Sequence, residues 1–136
     1  MAVSGKTISV VAALIRDDGG RVLLVRKRGT AAFMQPGGKR DAGESDVAAL
    51  VREINEELGC RVAASSARPL GVFDAAAANE PGFVVRAAVY AVDVEGAIAA
   101  GAEIEEVVWV DPRALPELPF APLTRDHVLP LALPIT

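Results

Sequence analysis

Residues 37–60 read GGKRDAGESDVAALVREINEELGC, and this stretch decides what the chain folds into. A glycine pair opens a loop, and a helix-forming segment follows in which Glu53, Glu56 and Glu57 share one face. Like charges at this spacing repel by about 0.2–0.5 kcal/mol per pair on a helix, so a bound cation is the simplest reason for placing them together. Hard cations such as Mg²⁺ take carboxylate and carbonyl oxygens and share their shell with substrate phosphates. The stretch therefore indicates a magnesium site.

The helix in this stretch has clear start and stop signals. Ser45 is a natural N-cap, Asp46 favours the positive helix start, and Gly59 suits the position after the last turn. We therefore predict a helix from Ser45 to about Leu58 that packs one face on a core. The apolar side chains of that face are Val47, Leu50, Val51, Ile54 and Leu58.

Strand signals surround this helix. The apolar runs Ile8–Ile15 and Val22–Arg26 are joined by Asp17-Asp18-Gly19-Gly20, which predicts a hairpin, and Gly29 to Gly43 reads as a loop. The remaining predictions are strands at Pro69–Asp74, Phe83–Val94 and Val107–Asp111, a loop from Ala75 to Gly82, and a last helix from Leu123 to Leu131. This order predicts an α+β or mixed α/β sandwich.

Composition limits the class of protein. A chain of 136 residues, 51% hydrophobic, fits one globular domain over residues 1–136. The net charge of −4 argues against a general nucleic-acid or anionic-membrane binder. The single cysteine, Cys60, excludes an internal disulfide and is consistent with a reducing cytoplasm. The apolar run from Ile8 is ended by Arg16, and we interpret it as a buried strand rather than a signal peptide or membrane span.

The spacing within residues 38–60 resembles a complete Nudix box, the signature of hydrolases that cleave a nucleoside diphosphate linked to another group. A chance match of its fixed positions at a given start is on the order of one in 10⁸. Cys60 stands where an aliphatic residue is expected, and a small, usually buried side chain can pack there. The resemblance implies an α/β/α sandwich with a mixed central sheet. The fixed positions are Gly38, Glu44, Arg52, Glu53, Glu56, Glu57 and Gly59.

The resemblance also implies a metal site. Glu53, Glu56, Glu57 and the Gly37 carbonyl oxygen are its implied ligands, with Mg²⁺ as the ion and Mn²⁺ as a substitute. Taken alone, Glu56 and Glu57 would be interpreted as solvated surface residues. Within a complete box they are interpreted as metal ligands. Glu53 is also a candidate to take a proton from water.

Two further groups complete the predicted catalytic residues. Arg52 and Glu44 are predicted to support one another, because a guanidinium can hold carboxylates in a fixed orientation; the alternative is an ordinary surface ion pair. Relatives often supply another acid from a loop ahead of a strand, and Glu103 is our choice. Glu105 and Glu106 compete with it, and a plain acidic loop is the structural alternative.

Candidates for substrate binding lie in the same region. Lys39 follows the glycines and could contact a phosphate, as could Arg28 with its neighbours Arg26 and Lys27, although solvated charges are an equal alternative. Phe33 is a candidate to stack on a base, and its alternative is a core position. Met34, Phe73 and Phe83 share both interpretations.

These residues predict hydrolysis of a nucleoside diphosphate derivative by in-line attack of water on phosphorus. The segment Asp74–Ala78 lacks the proline and tyrosine that mark relatives acting on ADP-ribose and on diadenosine polyphosphates. A nucleoside triphosphate, including a damaged or deoxy form, is therefore our first substrate, with ADP-ribose and nucleotide sugars second. A nucleotide-sensing module is the alternative of another class, which the intact box disfavours. We expect a small-molecule nucleotide as partner, no nucleic acid or membrane, and favour a homodimer.

Overall fold

The computed structural model describes residues 6–133, which form nine β-strands, two α-helices and two short helical turns. The elements in chain order are β1 (Lys6–Leu14), β2 (Val22–Lys27), β3 (Phe33–Met34), β4 (Gly37–Gly38), α1 (Asp46–Leu58), β5 (Arg61–Val62), a 3₁₀ turn (Ala64–Ser66), β6 (Arg68–Ala76), β7 (Phe83–Ala91), β8 (Val94–Glu95), β9 (Ile104–Val110), a π-helical turn (Thr124–Val128) and α2 (Leu129–Leu131).

A mixed sheet lies at the centre of the fold, as predicted. Its strand order is β4-β1-β7-β6, with β1 and β7 parallel from Lys6 opposite Phe83 to Leu14 opposite Ala91. Parallel strands need a long crossover connection, and α1 lies in the chain between these two. A three-stranded antiparallel sheet, β3-β2-β9, and the small β5-β8 ladder complete the strands.

Two apolar clusters cover the two faces of these sheets. Val11 of β1 packs in one cluster with Leu50 and Ile54 of α1, whereas Leu14 packs in the other with Val128 of the C-terminal helical segment. Because alternate residues of a strand point to opposite faces, burial on both faces explains the nearly continuous apolar runs in β1 and β2. The layers form the α/β/α arrangement that the resemblance implied.

Helix α1 begins and ends where the sequence predicts. The Ser45 hydroxyl accepts a hydrogen bond from the Ala48 N–H at 3.1 Å, which satisfies one of the free donors of the first turn. Gly59 adopts a left-handed conformation with φ of 72°, and its N–H donates to the Asn55 carbonyl oxygen at 2.9 Å. These caps fix the helix that carries the three glutamates.

The predicted hairpin between β1 and β2 is wrong. The turn itself forms, because the Asp17 N–H donates to the Arg21 carbonyl oxygen at 2.9 Å. Only a bridge between Arg16 and Val22 continues it, however, and the strands then enter different sheets. The edges of β1 are taken by β4 and β7, which leaves no edge for β2.

Other boundaries also differ from the predictions, among them those of β6, which runs to Ala76, and of β9, which begins at Ile104. The predicted loop Gly29–Gly43 contains the short strands β3 and β4, and the predicted strand Phe83–Val94 ends at Ala91 before β8 begins. The last helix starts as a π-helical turn and contains Pro130, which has no N–H to continue a regular ladder. Within residues 6–133, none of the helices is long and apolar enough to cross a membrane.

Candidate active site

A cleft of about 330 Å³ opens beside the glycine pair of β4. Glu53 and Glu57 of α1 line it together with Glu103, which precedes β9. Lys27 at the end of β2 and Lys39 after β4 add two positive charges. Together with Glu80 of the loop before β7, the cleft is thus lined by four carboxylates and two ammonium groups.

The two glycines of β4 allow the backbone to pass through a narrow space. Gly37 has a φ of 148°, and a Cβ there would lie 2.1 Å from the carbonyl oxygen of Val11. A Cβ on Gly38 would lie 2.5 Å from the carboxyl carbon of Glu53. Any side chain at Gly38 would therefore displace the Glu53 carboxylate.

Glu57 is the buried carboxylate of the cleft. The residue is only 7% exposed, and its Oε1 accepts a hydrogen bond from the Gly37 N–H at 3.1 Å. Burial raises the pKa of the Glu57 carboxyl to about 7, against the opposing effects of the Gly37 N–H and of Lys27. The charges of Glu53 and Glu103 raise this pKa as well.

Arg52 connects the loop before α1 to the glutamates on the helix. Its Nε and Nη2 donate to the two carboxylate oxygens of Glu44 at 2.8 and 2.9 Å, and its Nη2 also donates to the Lys39 carbonyl oxygen at 3.0 Å. Its Nη1 contacts Glu53 at 3.1 Å and Glu56 at 3.3 Å. The bidentate bond from Arg52 lowers the pKa of the Glu44 carboxyl to about 2. The predicted pair of Arg52 and Glu44 is therefore in contact, and its supporting role stays a prediction.

The end of β2 determines which basic residue enters the cleft. The pairing of β2 with β9 shifts register between Arg26 and Lys27, and the Arg28 N–H donates to the Glu103 carbonyl oxygen at 2.8 Å. The extra residue of this bulge lies in β9, so β2 keeps its regular alternation. Lys27 therefore lies on the same face as Val25, which packs in the cluster with α1, and it lines the cleft.

Three predicted residues lie elsewhere. Phe33 is 5% exposed and packs in the core, so the stacking interpretation is corrected to the core alternative. Arg28 does not line the cleft, and its Nε lies 3.4 Å from a carboxylate oxygen of Glu105 at the exposed surface. Glu56 is also outside the cleft lining, with a side chain that is 53% exposed beside Arg52.

The carboxylate groups of Glu53, Glu56 and Glu57 are not gathered around a common point in this structure. Among residues 6–133, no group of three or more acidic, histidine or cysteine side chains is placed to hold a metal ion. Arg52 contacts Glu53 and Glu56, while the Gly37 N–H binds Glu57. Repelling carboxylates are stabilised by such separate partners, and the ligand assignment stays a prediction.

Sequence reasoning missed the other end of the cleft. Apolar side chains from β1, β7 and the C-terminal segment form it, and Gln35 lines it next to Met34. The loop between β6 and β7 supplies a wall that includes Asn79. Gln35 is the only glutamine of the chain and lies two residues before Gly37, and this position was the only available signal.

Comparisons with known proteins concern the family and the fold of this chain. The family model of the NUDIX domain matches residues 6–132. A Haemophilus influenzae protein named 8-oxo-dGTP diphosphatase is 32% identical over 121 residues, which cover 86% of this chain and 85% of that protein. A Bacillus subtilis protein is 32% identical over 105 residues, 76% of this chain and 66% of that protein, just under two thirds of its length. The crystal structure of a MutT NUDIX hydrolase from Burkholderia pseudomallei superimposes with a TM-score of 0.74 at 28% identity, covering 93% of this chain and 95% of that one.

Proposed function

This chain belongs to the NUDIX domain family, and from that premise we propose that it hydrolyses a nucleoside triphosphate to a monophosphate and pyrophosphate with a divalent metal ion. It is a Nudix pyrophosphohydrolase. The observation that carries the proposal is the gathering of Glu53, Glu57 and Glu103 in one cleft with Lys27 and Lys39. Carboxylates suit a hard cation, and ammonium groups suit the phosphates of a substrate.

The donor groups fit a hard divalent cation. Glu53 and Glu57 line the cleft beside Gly37 and Gly38, and the missing Cβ of Gly38 leaves the space that the Glu53 carboxylate occupies. We propose that Glu53, Glu56, Glu57 and the Gly37 carbonyl oxygen hold Mg²⁺, with Mn²⁺ as a substitute. When bound, such an ion neutralises the charge that develops on the phosphate oxygens.

We assign phosphate binding, proton transfer and the orientation of the carboxylates to side chains of this protein. Lys27 and Lys39 bind phosphate oxygens from two sides of the cleft. Water attacks a phosphorus of the triphosphate in line with the leaving group, so that one O–P bond forms as the bridging P–O bond between the future monophosphate and pyrophosphate breaks. A carboxylate, Glu53 or Glu103, accepts the proton of the water. Arg52 orients Glu53 through the 3.1 Å contact from its Nη1.

The substrate proposal rests on the other end of the cleft. Its apolar walls, which include Val10 and Leu123, suit a nucleobase better than a second phosphate or a sugar. The relative from Haemophilus influenzae is named 8-oxo-dGTP diphosphatase, which makes an oxidised purine triphosphate the first compound to test.

A substrate panel tests the function directly. The purified protein is incubated with Mg²⁺ or Mn²⁺ and with unmodified and oxidised nucleoside triphosphates, ADP-ribose, nucleotide sugars or dinucleoside polyphosphates, and products are separated by chromatography. We expect monophosphate and pyrophosphate from a triphosphate. Monophosphate plus a sugar phosphate would instead identify a nucleotide sugar or ADP-ribose as substrate. Nucleotide binding without hydrolysis under either metal would contradict the proposal and support the sensing role.

The surroundings of the enzyme are proposed on separate grounds. The net charge of −4 supports a partner that is a small nucleotide rather than a nucleic acid or an anionic membrane. The single cysteine, which is buried and free, supports a cytoplasmic location. A homodimer stays a prediction that light scattering of the purified protein would check.

A further inference from the structure

The apolar end of the cleft contains one side-chain amide that is held in place from outside the box. The Thr124 hydroxyl donates a hydrogen bond to Gln35 Oε1 at 2.7 Å. Thr124 is fully buried, with an exposure of 0%, and it begins the π-helical turn. Gln35 lines the cleft, so this bond joins the cleft wall to the C-terminal segment.

The backbone around Gln35 is fixed on both sides. The Phe33 N–H donates to the Pro119 carbonyl oxygen at 2.8 Å, and the Phe33 carbonyl oxygen accepts from the Ala121 N–H at 2.9 Å. On the other side, the Pro36 carbonyl oxygen accepts from the Ala13 N–H at 2.9 Å. The Gln35 side chain therefore leaves a rigid segment and meets a rigid partner.

The amide nitrogen of Gln35 is open to a ligand. Within residues 6–133, Nε2 has no hydrogen-bond partner, and no buried side-chain polar atom lacks one, so Nε2 is accessible to solvent on a residue that lines the cleft. Because the Thr124 hydroxyl holds Oε1 in place, the end of the amide that is left free is Nε2 with its two N–H donors. Donors at the edge of an apolar site recognise a carbonyl oxygen of the ligand.

We propose that Gln35, oriented by Thr124, reads the hydrogen-bonding edge of the nucleobase and selects bases that carry a carbonyl oxygen there over bases that carry an amino group. The inference rests on the proposed function, since it names what that same cleft distinguishes among nucleotides. Gln35 is the specificity-determining residue and Thr124 its positioning residue. Neither is one of the residues to which the proposed function assigns metal binding, phosphate binding or proton transfer.

Matched pairs of nucleotides test this selection. dITP differs from dATP, and dUTP from dCTP, by a carbonyl oxygen and a ring N–H in place of an amino group and a ring nitrogen without hydrogen. We expect the unaltered protein to favour the carbonyl member of at least one pair by about tenfold in kcat/KM, the size of effect that one good base contact gives. Gln35→Leu should bring that ratio close to one, and Gln35→Glu, which only accepts hydrogen bonds when ionised, should reverse it.

Variants of Thr124 separate orientation from mere packing. Thr124→Val keeps the shape but removes the hydroxyl, so the ratio should fall several-fold, whereas Thr124→Ser should preserve it. Thr7→Val is the matched control, because Thr7 is exposed on β1 and does not line the cleft. Equal loss of the ratio in Thr124→Ser and Thr124→Val would overturn the positioning role.

A binding measurement separates this inference from the proposed function. Calorimetric titration of the metal-free protein with dIMP and with dAMP, or with dUMP and dCMP, should show the same preference in Kd and the same loss in Gln35→Leu. If the protein hydrolyses none of the triphosphates, the proposed function fails while this titration still tests Gln35. If it hydrolyses them with a ratio that Gln35→Leu leaves unchanged, or without any preference, the inference about Gln35 is overturned alone.

Discussion

At the scale of single residues, Glu57 is the one charged residue that is buried among residues 6–133. A neutral glutamine side chain at this position would keep the shape and could still accept the Gly37 N–H, which now donates to Oε1 at 3.1 Å. We therefore expect Glu57→Gln to fold normally but to lose turnover by at least about 100-fold, because a charged metal ligand is gone. Steady-state kinetics measure this, with Glu95→Gln as control, since Glu95 lies in an exposed pair with Arg61. A fully active Glu57→Gln protein would refute the metal assignment.

The pKa of Glu57 also predicts how stability varies with pH. Burial raises it from the ordinary 4.5 to about 7, so between these values the folded state binds a proton that the unfolded state has released. The free energy of unfolding of the metal-free protein should therefore fall as pH rises from about 4.5 to 7. Glu44 acts outside this window, because its pKa is lowered to about 2 and its contribution is lost only as pH falls below 4.5.

Urea titrations in the presence of a chelator, at intervals between pH 5 and pH 8, measure this dependence. The Glu57→Gln protein lacks the titrating group, and its profile should be flatter than that of the unaltered protein. Parallel profiles would show that Glu57 ionises normally in the folded state.

The sequence predicted least well which individual residues line the cleft. The box indicated Glu53 and Glu57, which do line the cleft, because a helix of known phase points them to one side. Arg28 was predicted for substrate binding, yet its neighbour Lys27 lines the cleft, on the face that it shares with Val25 by strand alternation. Arg28 lies past the last paired residue of β2, where alternation no longer fixes the direction of a side chain, and its partner Glu105 comes from a distant strand.

At the scale of elements, Arg52 makes the loop before α1 and the helix act as one unit. Its guanidinium binds Glu44 with two hydrogen bonds at 2.8 and 2.9 Å and also reaches Glu53 and the Lys39 carbonyl oxygen. Lysine keeps the charge but cannot reproduce this fork, so Arg52→Lys should lower kcat about 10- to 100-fold. Kinetics at saturating metal check this, with Arg61→Lys as control at an exposed pair. Unchanged kcat would reduce the contact to a surface ion pair.

Elements with local signals were predicted well, and those with distant partners were not. The bounds of α1 follow from Ser45 and Gly59, whose effects act within one turn. The hairpin prediction failed because the Asp17-to-Gly20 turn signal says nothing about β7, which pairs with β1 from more than seventy positions away. The short strands β3 and β4 have two residues each, too few for any period to appear in the sequence.

At the scale of the whole molecule, residues of the box join helix α1 to the central sheet beside the cleft. Glu57 lies on the helix that covers one face of the sheets, and the Gly37 N–H that it binds belongs to the edge strand of the central sheet. The layered fold was predictable because the resemblance implied it, whereas the apolar end of the cleft was not. That end depends on how the C-terminal segment packs against β1 and β7, a tertiary contact without a local pattern.

Metal binding at this junction should therefore stabilise the whole domain rather than a loop. A ligand that binds only the folded state at ten times its Kd adds about 1.4 kcal/mol, which corresponds to a rise of roughly 5 °C in Tm for a domain of this size. Thermal denaturation followed by circular dichroism should show this rise with Mg²⁺ or Mn²⁺ and its reversal by a chelator. Glu57→Gln should show little of the rise, while Glu95→Gln should show all of it. A Tm that neither ion changes would mean that the carboxylates, which are now held apart by Arg52 and the Gly37 N–H, do not gather around a cation before substrate arrives.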